Sequence, residues 1–181
     1  MPRGGRISKF FNRIIPGILS FIAILYAAAL IASCTSITRR ALQTEVIIYS
    51  SAARVWKELT DFRAYPQWNP FIRKVTGVVG EGERLKIQMH AGNRTMTFRP
   101  VILAIKPERE LRWLGHLLIP GIFDGEHSFV IEPLGEGRVR LVQSETFNGL
   151  LVQFSGPLLD DTERSFNLMN LALKERVEQA S

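Results

Sequence analysis

Residues 158–177 read LLDDTERSFNLMNLALKERV, and how this stretch is read decides the architecture. Thr162, Phe166, Met169, Leu173 and Val177 recur at spacings of three and four, which puts them on one face of a helix. Asp160, Asp161 and Glu163 near its start, and Lys174 and Arg176 near its end, suit the helix dipole. Pro157 fits a first-turn position. The chain before it is rich in strands. Residues 72–79, 84–90, 95–106, 110–118, 126–134 and 138–147 each carry β-forming residues bounded by Gly or Pro. Within 95–106, Met96, Phe98, Pro100 and Ile102 alternate with Thr97, Arg99 and Val101. An antiparallel sheet of that size cannot leave its apolar face in water. The long amphipathic helix is the only segment large enough to cover it.

Upstream of these strands, residues 44–49 (TEVIIY) predict a first strand. Ser50-Ser51 then offers an N-cap to a helix whose Val55, Trp56 and Leu59 share a face. Residues 61–65 predict a second short helix that stops before Pro66. Trp68-Asn69-Pro70-Phe71 forms a rigid aromatic turn. The fold class is therefore α+β: a curved antiparallel sheet of about seven strands wrapped on a long C-terminal helix. Residues 44–181 form this domain, and 35–43 read as a linker.

One apolar N-terminal helix precedes the domain. Residues 14–32 (IIPGILSFIAILYAAALIA) contain no charge. At about 1.5 Å per residue they span roughly 28 Å as a helix, close to a hydrocarbon core. The segment ends Leu30-Ile31-Ala32-Ser33-Cys34, similar to a bacterial lipobox in which the cysteine thiol accepts diacylglycerol. Residues 1–34 thus read either as a lipoprotein-type signal with Cys34 as the lipid-attachment site, or as an uncleaved membrane anchor. Arg3, Arg6, Lys9 and Arg13 precede the apolar run, against Arg39 and Arg40 after it. That bias favours an inward N-terminus and a domain on the non-cytoplasmic side. The net charge of +6 falls largely on this leader, leaving 19 basic against 17 acidic groups in the remainder. Such a surface argues against nucleic-acid binding. The sequence leaves the oligomeric state open.

No metal or cofactor is expected. His90, His116 and His127 lack metal-ligand spacing, and Cys34 is the only thiol. No HExxH, GxGxxG, P-loop or GxSxG pattern occurs. One pair stands out. His127 shares strand parity with Phe129 and Ile131, and Glu145 shares it with Leu141 and Phe147. If residues 135–137 close a three-residue hairpin, Ile131 faces Leu141 and His127 faces Glu145 inside the sheet. Such a pair is a polar anchor for a ligand, a general acid–base pair, or a buried ion pair that merely satisfies itself. Candidate cavity residues are Trp68, Phe71, Phe98, Trp113, Phe123, His127, Phe129, Glu145, Phe147, Phe166 and Met169, although any single aromatic weighs more as core than as lining. Phe123, in the loop Pro120-Gly121-Ile122-Phe123-Asp124-Gly125, and Leu117-Leu118 suggest an apolar entrance. Arg94, Arg99 and Arg112 read as solvated strand residues.

The run Ser51-Ala52-Ala53-Arg54-Val55-Trp56, the stretch from Asp61-Phe62 to Tyr65-Pro66-Gln67-Trp68-Asn69-Pro70-Phe71-Ile72, and the strands around His127 and Glu145 resemble the START-like (SRPBCC) superfamily of helix-grip folds. That superfamily includes the birch-pollen allergen fold and polyketide cyclase/dehydrase-type proteins. The resemblance covers about residues 42–180. It implies an apolar cavity between sheet and long helix. The expected function is membrane-tethered binding or carrying of a hydrophobic small molecule: a lipid, isoprenoid or polyketide-like compound. The alternatives are a cyclase or dehydratase using His127 and Glu145, and an accessory domain that binds a partner in a membrane complex through the loop around Phe123.

Overall fold

The computed structural model describes residues 38–91, 94–117 and 119–179, together with Ile24. The chain divides into residues 1–36 and a compact unit from Ile37 to Ser181. The expected anchor and Cys34 therefore lie outside the described residues, apart from Ile24.

The element order is β1 (Thr38–Ile48), α1 (Ala52–Thr60), α2 (Tyr65–Trp68), β2 (Ile72–Gly77), β3 (Leu85–Ala91), β4 (Arg94–Phe98), β5 (Val101–Lys106), β6 (Glu110–Leu117), β7 (Phe123–Gly135), β8 (Arg138–Gly149) and α3 (Gly156–Gln179). A single 3₁₀ turn, Val152–Phe154, precedes α3. All pairings are antiparallel. Five strands run in the order β1-β8-β7-β6-β5, and three in the order β2-β3-β4. Among the described residues there are eight strands in two sheets, where one sheet of about seven was expected. The ladders meet at a bridge between Arg84 and Val101, where Leu85 N–H donates to Pro100 O at 2.9 Å. The single strand expected over 95–106 divides into β4 and β5 because Pro100 has no N–H to continue a ladder.

Three further boundaries differ from expectation. β1 begins at Thr38, so most of the expected linker is strand, paired from Thr38↔Gly149 onward. The second helix starts at Tyr65 and includes Pro66 in its first turn, where a missing N–H costs nothing. The long helix starts at Gly156, which leaves no acidic residue in its first turn. Asp160 and Asp161 stand one turn too deep for the dipole to act strongly on them.

Ser51 caps α1 by accepting from Arg54 N–H at 3.3 Å, and Val55 and Leu59 are buried. Tyr65 is fully buried and donates its hydroxyl to Leu59 O at 2.6 Å. Burial, with Asp61 nearby, pushes its pKa well above the ordinary range, so it remains a donor. Asn69 Oδ1 accepts from Phe71 N–H at 2.9 Å and from Ile72 N–H at 2.8 Å. This side chain sets the sharp aromatic turn that hands the chain to β2.

Helix α3 buries Phe166, Met169, Leu173 and Val177 on the sheet. Its C-terminal end is clamped to β1. Glu178 accepts from Tyr49 N–H at 2.8 Å and from Lys174 Nζ at 2.6 Å, while Lys174 also donates to Ile47 O at 2.8 Å. The Lys174 hydrogen bond, aided by Tyr49 N–H, holds the Glu178 carboxyl below the usual carboxylate range. A carboxyl with a depressed folded-state pKa stabilises the fold fully above its ordinary value, about 4.3, and that contribution is lost as pH falls from there through the lowered one. The melting temperature gap between the wild type and Glu178→Gln is therefore expected to shrink between about pH 6 and pH 3. A gap that stays constant in thermal melts contradicts the clamp.

Candidate functional site

The alternation along β6, β7 and β8 sends Leu111, Trp113, His127, Phe129, Leu141, Gln143 and Phe147 to the inner, buried face. Hairpin register then brings two polar positions together. Ile131 pairs with Leu141 and His127 with Glu145, as expected, but not through a three-residue loop: Gly135 pairs with Arg138, and a register shift between Pro133 and Gly135 restores the same facing. His127 Nδ1 lies 3.3 Å from Glu145 Oε2, and its Nε2 lies 3.2 Å from Gln143 Nε2. With the ring proton on Nδ1, His127 donates to the carboxylate and accepts from the Gln143 amide. Gln143 also approaches Met169 Sδ at 3.7 Å, but its Oε1 is buried with no partner.

The imidazole is boxed by rings. Trp113 stacks on it at 5.1 Å with planes 14° apart, while Phe129 and Phe166 lie at 4.7 and 4.9 Å. These rings restrict where it can turn. Glu145 reaches further out. Its Oε1 lies over Gly125, where any Cβ would collide with it. Gly125 in turn pairs across strands with Gly115. Two glycines side by side leave a patch of inner sheet with no side chains, and Glu145 occupies part of it.

The rest of that space is a cavity of about 50 Å³. Gly115, Gly125 and Trp113 form its floor, with Phe98, Phe123 and Phe147 beside them. Met89 and Met96 from β3 and β4, Leu117 from β6, and Leu158 and Thr162 from α3 complete it. It is smaller than the roughly 300–1,000 Å³ of ligand clefts, so a larger guest must displace side chains. The half-buried methionines are suited to that, being unbranched and flexible.

Of the residues singled out from sequence, Phe98, Trp113, Phe123, His127, Glu145 and Phe147 line this cavity. Trp68, Phe71, Phe129, Phe166 and Met169 do not. Phe71, Phe129, Phe166 and Met169 are core, with Phe71 packed edge-on to Phe166 at 5.5 Å. Trp68 packs on Tyr65 at 5.1 Å. The helix sits closer to the sheet than a wide hollow requires, so its apolar face fills space. Phe123 is no exposed loop residue: it starts β7, buried at 5.4 Å from Phe147. Arg112 is not merely solvated, because it pairs with Glu110 at 3.0 Å and Glu126 at 2.9 Å on the outer face. Gln143, Gly115 and Gly125 were missed. Gln143 carried a signal, since it shares parity with Leu141 and Glu145; the glycines acquire meaning only once β6 and β7 are paired. Among the described residues no group of His, Cys, Asp or Glu is placed to hold a metal.

A long helix gripped by a curved antiparallel sheet, with an apolar cavity and one buried polar corner between them, defines a helix-grip, START-like domain. The chain belongs to the family described as "Polyketide cyclase / dehydrase and lipid transport", which matches residues 39–178. No curated protein matches the sequence. Among solved structures, the Zhui aromatase/cyclase from a Streptomyces species is similar with a TM-score of 0.66 at 17% identity, covering 78% of this chain and 95% of that one. A START superfamily protein from Mycobacterium smegmatis has a TM-score of 0.64 at 22% identity, covering 78% and 99%. Norcoclaurine synthase from Thalictrum flavum, as a point mutant with a transition-state analogue, has 0.64 at 14% identity, covering 81% and 99%. At these identities the likeness speaks for the fold alone.

Proposed function

We propose that the domain binds an apolar small molecule that carries a hydrogen-bond donor, and that residues 14–34 tether it to a membrane. The guest's donor meets Glu145 and its apolar body lies against Trp113, Phe98 and the two methionines. A lipid, isoprenoid or polyketide-like compound with a hydroxyl group fits this description. The observation that carries the reading is a carboxylate oxygen, Glu145 Oε1, set over a glycine within a mostly apolar cavity. His127 holds the other oxygen, so the carboxylate is oriented before a guest arrives. A second reading, acid–base catalysis of a cyclisation or dehydration, is favoured by the contact between His127 and Glu145, which lies within hydrogen-bond reach.

Native mass spectrometry of the full chain released from detergent is expected to show an apolar guest retained by the folded protein. Gly125→Ala makes the test specific. The new methyl group pushes the flexible end of Glu145 aside while the strand backbone stays acceptable. Binding of an alkylphenol is expected to weaken about tenfold or more, as for a lost charge-assisted hydrogen bond, and that of the matching alkylbenzene by clearly less, since the added methyl group takes the same floor space from both. Equal binding of both probes by the wild type, or equal loss of both in the variant, refutes the donor site. Turnover of a cyclisable substrate that disappears in His127→Ala would favour the catalytic reading instead.

A further inference from the structure

The end of the domain that holds the cavity carries an apolar rim that the domain itself does not cover. Phe154 is 74% exposed and Ile119 62%; Leu151 and Leu117 are also exposed. Backbone bonds hold these residues in one cluster. Leu150 N–H donates to Gly121 O at 3.2 Å, Leu151 N–H to Ile122 O at 3.0 Å, and Phe154 N–H to Leu151 O at 3.1 Å. Asp124 steadies the loop by accepting from Gly121 N–H at 2.9 Å. Gly149 permits the close join: its φ is +136°, and a Cβ there would strike Ile122 O. Beneath the rim, Phe123, Phe147, Val152 and Leu159 form a small core of their own. The rim is therefore a built surface of fixed shape, and four large apolar side chains at one end are costly in water.

The same Gly149 is the register partner of Thr38, the first residue of β1. The chain thus enters the domain at the rim. Only residues 33–37 separate the uncharged stretch 14–32 from that point. Five residues span at most about 17 Å, so a membrane holding that stretch has the rim within its reach and the far end of β7 beyond it. Arg39 and Arg40, both exposed, follow directly.

We propose that this rim rests on a lipid bilayer, with Ile119, Leu151 and Phe154 entering the acyl boundary and Arg39 and Arg40 at headgroup level. The cavity residues Leu117 and Leu158 then face lipid, and an apolar guest passes between bilayer and cavity without crossing water. The route of the guest rests on the binding reading above, and the membrane contact on the tether proposed with it.

Tryptophan fluorescence tests it. The full chain is placed in phosphatidylcholine vesicles with plain or brominated acyl chains. Phe154→Trp adds a reporter at the rim, and Leu134→Trp adds one at the exposed opposite end of β7, each read as a difference from wild type. The reporter at 154 is expected to shift to the blue and to lose roughly half or more of its added emission to bromine, as interfacial side chains sit about 5–10 Å deep. The one at 134 should lose none. If Phe154→Trp does not fold, Ile119→Trp serves in its place. A rim reporter as insensitive to bromine as that at 134 overturns the proposal. So does one shielded from both bromine and aqueous iodide, which assigns the rim to a second protein surface. Guest retention is measured separately by mass spectrometry, so loss of either result leaves the other readable.

Discussion

Gly115→Val is expected to weaken uptake of an apolar guest about tenfold or more, a loss of about 1.4 kcal/mol or above, while the domain stays folded. Gly115 lies on β6 in register with Gly125 on β7, and together they leave the floor of the cavity bare. A Cβ built at Gly115 meets only Pro100 Cβ, at 3.7 Å, which is ordinary contact. The backbone therefore accepts a side chain, and valine suits a strand. Its methyl groups occupy the space of about 50 Å³ in which the guest would begin to lodge. Titration with an alkylphenol measures the loss, and circular dichroism with thermal melting shows whether the fold persists. Undiminished binding in a folded Gly115→Val protein places the guest elsewhere and ends the case for this site.

Phe166→Ala is expected to cost about 3–5 kcal/mol of folding stability, the usual range for emptying a core aromatic position. Phe166 is fully buried in the middle of α3. Its ring meets Phe71 at 5.5 Å and His127 at 4.9 Å, so it joins helix, aromatic turn and sheet. Truncation removes burial and leaves a void that three separate elements must close. Urea unfolding measures it, and a loss below about 1 kcal/mol would mean that the helix is held mainly by its ends. The clamp of Lys174, Glu178 and Tyr49 would then carry more of the grip than the core does.

How much was legible depended on the distance over which each feature is decided. The facing of His127 and Glu145 was readable because a short hairpin fixes register and strand parity fixes the face. The buried face of α3 was readable because helical spacing is local. By contrast, residues 38–43 (TRRALQ) carry little strand character. They become strand because β8, more than a hundred residues later, offers an edge that extends to Gly149. Phe123 looked like a loop residue for a similar reason: β7 begins there only because Leu117 on β6 pairs with it. The anionic corner was visible from its residue types, but the glycine that makes room for Glu145 was not.

From sequence alone came the α+β class and the long covering helix, set by periodicities within a few neighbouring residues, the polar pair, set by strand parity across one short hairpin, and the family resemblance, carried by motifs such as residues 65–72. The folded chain alone decided how closely the helix approaches the sheet, which aromatics fill space and which border the cavity, and that the rim lies where the chain enters the domain. Those outcomes depend on volumes and pairings between distant segments, and close packing settles them only when every element is in place.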